Sequence, residues 1–247
     1  MRIEPDVYLV ASGQLGFDLT DPYDSHVYLF DAGDQYLMFD VGTGRGIDQM
    51  LTICRQEGLS PARIVHLFVT HAHADHAGGA AHLRERVNRL TIYASPAAAR
   101  ILSEGDAEAT CLPAAQAAGV YPSDYVLRPC PVEQALSDGE VVRVGPWRVQ
   151  SIETPGHSHD HMCYLVSNAH KRYLISGDAL FYGGRIILQN TYDCSVPDQI
   201  ASLQHLAGCD FDALLPGHLS FSLQRGRRHL EEALAVIAKL GCPPSIL

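Results

Sequence analysis

The 247-residue chain predicts an α/β fold, an αββα sandwich in which two mixed β-sheets are flanked by helices. Three observations predict it. Short apolar strand-like runs are followed by amphipathic runs, and this strands-then-helices order occurs twice along the chain. Arg63–Thr70 is apolar and β-branched, as a buried strand should be. Residues able to bind a divalent metal stand directly after strand-like runs, at the end where open sheets hold their ligands. No stretch has the composition of a linker, so residues 1–247 are read as a single domain whose halves resemble pseudo-repeats.

Val7–Ser12 reads as a first strand, and Gly13–Asp24 as a loop punctuated by Gly, Pro and Asp. Val27–Phe30 and Tyr36–Phe39 flank Asp31-Ala32-Gly33-Asp34, a hairpin signal. Asp40-Val41-Gly42-Thr43-Gly44 leads into a helix from Ile47 to Glu57, stopped by Gly58 and Pro61. After the buried strand and the loop that follows it, a helix runs to about Asn88. Leu90–Ala94 is a strand, and Pro96 opens a helix over Ala97–Leu102. Residues 105–131 carry four prolines and no clear period; they are read as an excursion or lid near the site. Beyond the Ser137–Glu140 turn, Trp147–Glu153, Met162–Ser167 and Arg172–Ser176 are strands. Pro197–Leu206 is a helix, Asp212–Leu215 a strand, and Arg225–Leu240 a last amphipathic helix.

Composition narrows the function. Hydrophobic residues make up 47% and charged residues 19%, enough apolar material for a sizeable core. The net charge of −10 argues against a nucleic-acid partner, because no Lys/Arg-rich stripe offsets it. Seven cysteines without a CxxC pair point to reduced thiols. No signal-like N-terminus or bilayer-length apolar segment stands out, so the expected location is cytoplasmic, with no membrane partner. A small molecule is the expected substrate, and an apolar edge on the last helix would suit a homodimer.

The chemistry is concentrated in His71-Ala72-His73-Ala74-Asp75-His76, four metal-binding side chains within six residues. A loop can aim imidazoles and a carboxylate at one point, which a strand of period two cannot. His157, Asp178 and His218 follow later strands, each just after a Gly where the backbone turns sharply. Five His and two Asp suit two borderline ions, zinc first. His159, Asp160 and His161 read as polar loop residues or as supports of the site; His66 reads as a satisfied core histidine.

The chain resembles the metallo-β-lactamase-fold hydrolases. Their HxHxDH signature stands at His71–His76, and their later motifs at Thr154-Pro155-Gly156-His157, Ser176-Gly177-Asp178 and Pro216-Gly217-His218. The resemblance implies that His71, His73 and His157 hold one Zn²⁺. Asp75, His76 and His218 would hold a second, and Asp178 would bridge them, with Fe or Mn also compatible. It implies a hydroxide held between the metals as nucleophile, oriented by Asp75, and hydrolysis of a small ester-type bond. The strand-end Asp40 would either orient a ligand imidazole or cap the following loop.

Several branches stay open. Asp178-Ala179-Leu180-Phe181-Tyr182-Gly183-Gly184-Arg185 is similar to a stretch of hydroxyacylglutathione hydrolases, which favours a thioester. Leu219-Ser220-Phe221-Ser222 departs from that family's basic glutathione-binding pattern. Acyl-homoserine lactonases place a Tyr near the bridging Asp, a catalytic role that Tyr182 would fill at a different offset. Phosphotriesters and aryl esters suit the same centre. Di-iron redox proteins of this fold carry Glu where His73 stands, which favours the hydrolase.

Overall fold

The computed structural model describes all residues, 1–247. Its contacts divide the chain into two compact units, Met1–Ala135 and Leu136–Leu247.

The first unit holds strands β1 (Arg2–Glu4), β2 (Val7–Ala11), β3 (Val27–Asp31), β4 (Tyr36–Phe39), β5 (Ile64–Phe68), β6 (Thr91–Ala94) and β7 (Gln134–Ala135). They pair in chain order. The β1–β4 pairs are antiparallel and the β4–β7 pairs parallel, so the sheet is mixed. Helix α1 (Ile47–Gln56) buries Ile47, Met50, Leu51 and Cys54, a stripe at helical spacing. These side chains share a core with Val10, Leu29, Met38, Leu67 and Ile92 from the strands. The opposite face of the sheet is also buried. It carries a ring ladder, Phe30–Phe39–Phe68–Tyr93, with centroids 5.3, 5.1 and 4.4 Å apart in turn. Burial on both faces explains why these strands read as continuous apolar runs rather than alternating ones.

The helix expected after the metal loop is broken into α2 (Ala74–Ala77) and α3 (Ala80–Arg86). The break falls at Gly78-Gly79, where the chain presses against the Asp40–Gly44 turn. Gly79 N–H donates to Gly42 O at 2.8 Å, and Val41 N–H donates to His76 O at 2.8 Å. A Cβ at Gly78 would collide with the Tyr125 hydroxyl, and one at Gly79 with the Val41 carbonyl. Helix α4 (Pro96–Glu104) is capped as its sequence indicates: the Ser95 hydroxyl accepts from Ala98 N–H, and Gly105 closes the helix at φ 68°. α5 (Leu112–Ala117) is the regular part of the 105–131 excursion.

The second unit holds β8 (Val141–Val144), β9 (Trp147–Glu153), β10 (Met162–Ser167), β11 (Arg172–Gly177) and β12 (Ala213–Pro216), in the order β12-β11-β10-β9-β8. The first three pairs in chain order are antiparallel, and β11 runs parallel to β12. α6 (Val196–Leu206) and α7 (Arg227–Ile237) contribute Leu203, Leu206, Leu230 and Ala233 to a core with Ile152, Leu174 and Leu214. The architecture is therefore α/β, with two mixed sheets flanked by helices. All seven cysteines are free thiols. No helix is long and apolar enough to cross a membrane.

His66, on β5, is partly buried and satisfied at both nitrogens: Nδ1 lies 3.2 Å from the Tyr93 hydroxyl and Nε2 2.8 Å from Gln35 Oε1. Gln35 Oε1 can only accept, so Nε2 carries the proton and Nδ1 accepts from Tyr93. Burial lowers the His66 pKa. The unfolded chain therefore binds the proton more readily, and stability rises with pH up to the ordinary histidine range. Urea titrations between pH 5 and 7.5 are expected to show this slope, and His66→Gln to flatten it. Gly78→Ala should lose about 1–3 kcal/mol in the same assay, because neither the Tyr125 hydroxyl nor the Ala74 carbonyl can withdraw cheaply.

Candidate metal centre

In the first unit the site begins at the ends of two adjacent parallel strands, β4 and β5. Asp40 follows β4 with φ 58°, a left-handed conformation that Asp tolerates better than most residues. Its side chain is buried and fully engaged. Oδ1 accepts from Thr70 N–H at 2.8 Å, and Oδ2 accepts from the Thr70 hydroxyl at 2.8 Å and lies 2.8 Å from His76 Nδ1. A carboxylate only accepts, so His76 Nδ1 carries the proton and Nε2 is left unprotonated. The Thr70 hydroxyl, having donated to Asp40, accepts from His71 Nδ1 at 3.1 Å, which likewise leaves Nε2 unprotonated. Asp40 thus both fixes the His76 imidazole and closes the loop that follows β5.

His71 and His76 are fully buried, and their rings stand 4.1 Å apart between centroids; His73 lies 4.6 Å from His71. His73 opens α2 from an extended conformation, and Asp75 and His76 occupy that helical turn. Asp75 Oδ2 lies 3.5 Å from His76 Nε2. Asp75 Oδ1 accepts from the Tyr121 hydroxyl at 2.8 Å. Burial first, and the Asp75 charge second, hold the Tyr121 phenol well above its ordinary pKa, so it stays a donor. The Tyr125 hydroxyl donates to Thr43 O at 2.9 Å, and Leu112, Tyr125 and Leu127 pack against Ala74. The 105–131 excursion is thereby tied to the metal loop.

In the second unit, Asp178 and His218 follow β11 and β12, again adjacent and parallel. Gly217 N–H donates to Gly177 O at 2.8 Å and joins the two turns. His157 follows β9 through Gly156, which adopts φ 148° and packs so closely on Gln199 that a Cβ would collide with its backbone. Only glycine fits this turn. Asp178 Oδ2 stands 3.6 Å from His157 Nε2 and 3.5 Å from His218 Nε2, and all three side chains are buried. These separations exceed a good hydrogen bond. Two atoms each about 2.0–2.1 Å from one tetrahedral zinc ion would lie roughly 3.3–3.4 Å apart. The donor set therefore fits metal, with one carboxylate oxygen facing two imidazoles. All seven residues expected as ligands are among those able to take part in holding an ion.

His161 is not a mere loop residue. It is buried, and its Nε2 accepts from Asp178 N–H at 3.1 Å. Its Nδ1 then donates to the Thr154 hydroxyl at 2.8 Å, which donates to Cys163 Sγ at 3.3 Å, which donates to Ser176 O at 3.5 Å. One proton arrangement satisfies the whole chain. Burial pushes the Cys163 thiol up to about 12, consistent with a packing role. His159, by contrast, is exposed against Tyr192, with ring centroids 6.0 Å apart.

Tyr182 is placed on the outside of its loop. It is 49% exposed and its ring tilts over buried His229 of α7 at 4.3 Å. Its neighbour Phe181 is buried and stacks on His218 with centroids 6.5 Å apart. The Asp178–Arg185 loop is held by Gln199 Nε2–H to Ala179 O at 2.7 Å, the Ser176 hydroxyl to Leu180 O at 2.7 Å, and Gly183 N–H to His229 Nδ1 at 3.0 Å. Tyr121 and Thr70 were not legible as site residues, whereas His161 was legible only as one of two alternatives, a polar loop residue or a support of the site. Tyr121 lies 45 positions beyond His76 in an aperiodic stretch, and a lone Thr or His carries no pattern.

Asp40→Asn keeps the volume and tolerates the same backbone but faces His76 Nδ1–H with an amide that must share its one oxygen with Thr70. Competition against a chelator is expected to show metal affinity about 10–100-fold weaker than wild type. His161→Phe leaves Asp178 N–H buried and unsatisfied; urea unfolding should show a loss of about 1–3 kcal/mol.

Similarity to known proteins agrees with this geometry. The sequence profile of the metallo-beta-lactamase superfamily matches residues 20–218. A probable metallo-hydrolase of Bacillus subtilis, YqgX, is 30% identical over 164 residues, which are 66% of this chain and 69% of YqgX. An atrochrysone carboxyl ACP thioesterase of Aspergillus fumigatus is 28% identical over 78% of this chain and 50% of its own length. A hydroxyacylglutathione hydrolase of Marinomonas sp. is 24% identical over 83% of this chain and 64% of its own. The chain thus spans half to two thirds of these two enzymes. Among solved structures, a metallo-beta-lactamase from Cronobacter sakazakii, a HARLDQ motif mutant, shares the fold with a TM-score of 0.70 and 23% identity, covering 97% of this chain and 85% of that one. The chain belongs to the metallo-beta-lactamase superfamily.

Proposed function

We propose that the chain is a dinuclear zinc hydrolase of ester-type bonds, with a thioester as the favoured substrate class. His71, His73 and His157 would hold one ion, Asp75, His76 and His218 the other, and Asp178 both. The observation that carries the reading is the Asp178 carboxylate oxygen, buried and facing His157 Nε2 at 3.6 Å and His218 Nε2 at 3.5 Å. Within the first unit, the His71 and His76 imidazoles are pre-oriented through Asp40 and Thr70, which supports the same reading. Membership of the superfamily supports it, and the thioesterase and hydroxyacylglutathione hydrolase relatives favour the thioester over other esters.

Two zinc ions, when bound, would supply Lewis acidity and bring the pKa of water to near neutrality. The chain's residues supply the rest. Asp40 and Thr70 keep two imidazoles in one tautomer, so no proton has to leave them when an ion binds. His161 fixes the backbone of Asp178, so its carboxylate is held in place. Asp75 is the carboxylate available to take up and pass on a proton as the leaving group departs. Phe181 places a buried apolar ring beside His218.

The test is metal content per chain on protein purified without chelator, coupled to a panel: a hydroxyacyl-glutathione thioester, an acyl-homoserine lactone, an aryl ester and an aryl phosphotriester. About two zinc ions per chain with the thioester hydrolysed well ahead of the others is expected. Stoichiometric iron with no hydrolysis would overturn the proposal in favour of redox chemistry. Asp178→Ala is expected to remain folded by circular dichroism while losing metal and activity together; an active, metal-replete variant would remove Asp178 from the ligand set.

A further inference from the structure

We propose that Tyr121 is a positioning residue for Asp75, holding one carboxylate oxygen so that the other is turned to the metal. This rests on the dinuclear reading above and extends it to a residue outside the ligand motifs. Asp75 has two oxygens with different partners. Oδ1 accepts the Tyr121 hydroxyl at 2.8 Å, and Oδ2 lies 3.5 Å from His76 Nε2, at the separation expected for two atoms facing one ion. A carboxylate on a short side chain can rotate and exchange its oxygens. Exchange leaves an equivalent group, but the hydroxyl fixes its plane and rotamer, so that one oxygen always faces Tyr121 and the other faces away from it.

Tyr121 is itself held on both sides. Its ring lies 5.9 Å from the Tyr23 ring and 5.9 Å from the Tyr125 ring, contacts that do not involve the Tyr125 hydroxyl, which donates to Thr43 O. The backbone of Asp75 is fixed too, since its carbonyl accepts from Ser25 N–H at 3.1 Å. Side chain and main chain of one ligand are thus clamped by two segments distant in sequence. The 105–131 excursion then acts as a strap that sets the geometry of one metal ligand.

Tyr121→Phe removes the hydroxyl and keeps the ring between Tyr23 and Tyr125. Tyr125→Phe is the control, since it removes a hydroxyl from the same strap that bonds to a main-chain carbonyl and not to a ligand. Zinc binding to chelator-stripped protein would be measured by competition with a chromophoric chelator. Cobalt absorption would report the ligand field. For Tyr121→Phe, the affinity for one of the two ions is expected to fall about 10–100-fold and the cobalt spectrum to change, with Tyr125→Phe like wild type. In an Asp75→Asn background the Tyr121→Phe change should have no further effect on affinity. Equal affinities in wild type and Tyr121→Phe would overturn the proposal. Equal losses in both single variants would also overturn it, because packing of the strap and not the hydroxyl would then be responsible. Wild-type protein that takes up only one ion would instead sink the dinuclear reading itself.

Discussion

The buried carboxylate of Asp40 is the constraint on which the rest of the first unit's site depends. Taking a carboxylate out of water is costly unless its lone pairs are filled, and here they are filled by Thr70 N–H, the Thr70 hydroxyl and His76 Nδ1–H. The same bonds close the β5 loop against the β4 turn and choose the tautomer of His76. Through Thr70 they also choose that of His71. The positive φ of Asp40 is the conformational cost of bringing the carboxylate inward at the end of its strand. Local strain, loop closure and imidazole orientation are therefore one arrangement.

The second unit solves the same problem with different atoms. Asp178 is held by its main-chain N–H, which donates to His161 Nε2, and the other nitrogen of His161 begins a relay that runs through Thr154 and Cys163 to the Ser176 carbonyl. Asp178 turns Oδ2 toward two imidazoles, and the residue is supported from behind, through its backbone N–H. Gly156 and Gln199 do the corresponding work for His157: the first supplies a turn no other residue could make, and the second packs into the space a Cβ would occupy.

Supports of this kind differ from ligands in how they can be read. A ligand must be His, Asp, Glu or Cys near a strand end, and HxHxDH has few other meanings. A support needs only a donor or acceptor at the right point, and Thr, Tyr or His can supply it from anywhere in the chain. Hence Asp40 stood out by its place after a strand, while Thr70, hidden in an apolar run, did not. Tyr121 lay in the stretch with the least pattern, yet it reaches Asp75. The Gly-Gly break between α2 and α3 is a similar case, because the helical pattern continues across it and the break comes from a close approach by the Asp40–Gly44 turn and Tyr125.

By itself the sequence determined the mixed α/β architecture, most strand positions, the order of the seven metal-type residues and the family. These rest on hydrophobic periodicity, on turn residues and on a dense local motif, all of which are local along the chain. Only the tertiary structure decided which nitrogen His71 and His76 leave unprotonated, that Tyr121 holds the Asp75 carboxylate, and that Tyr182 lies on the outside of its loop while Phe181 faces His218. These depend on partners tens of residues away, whose approach is set by how strands and loops pack and leaves no periodic trace in the chain.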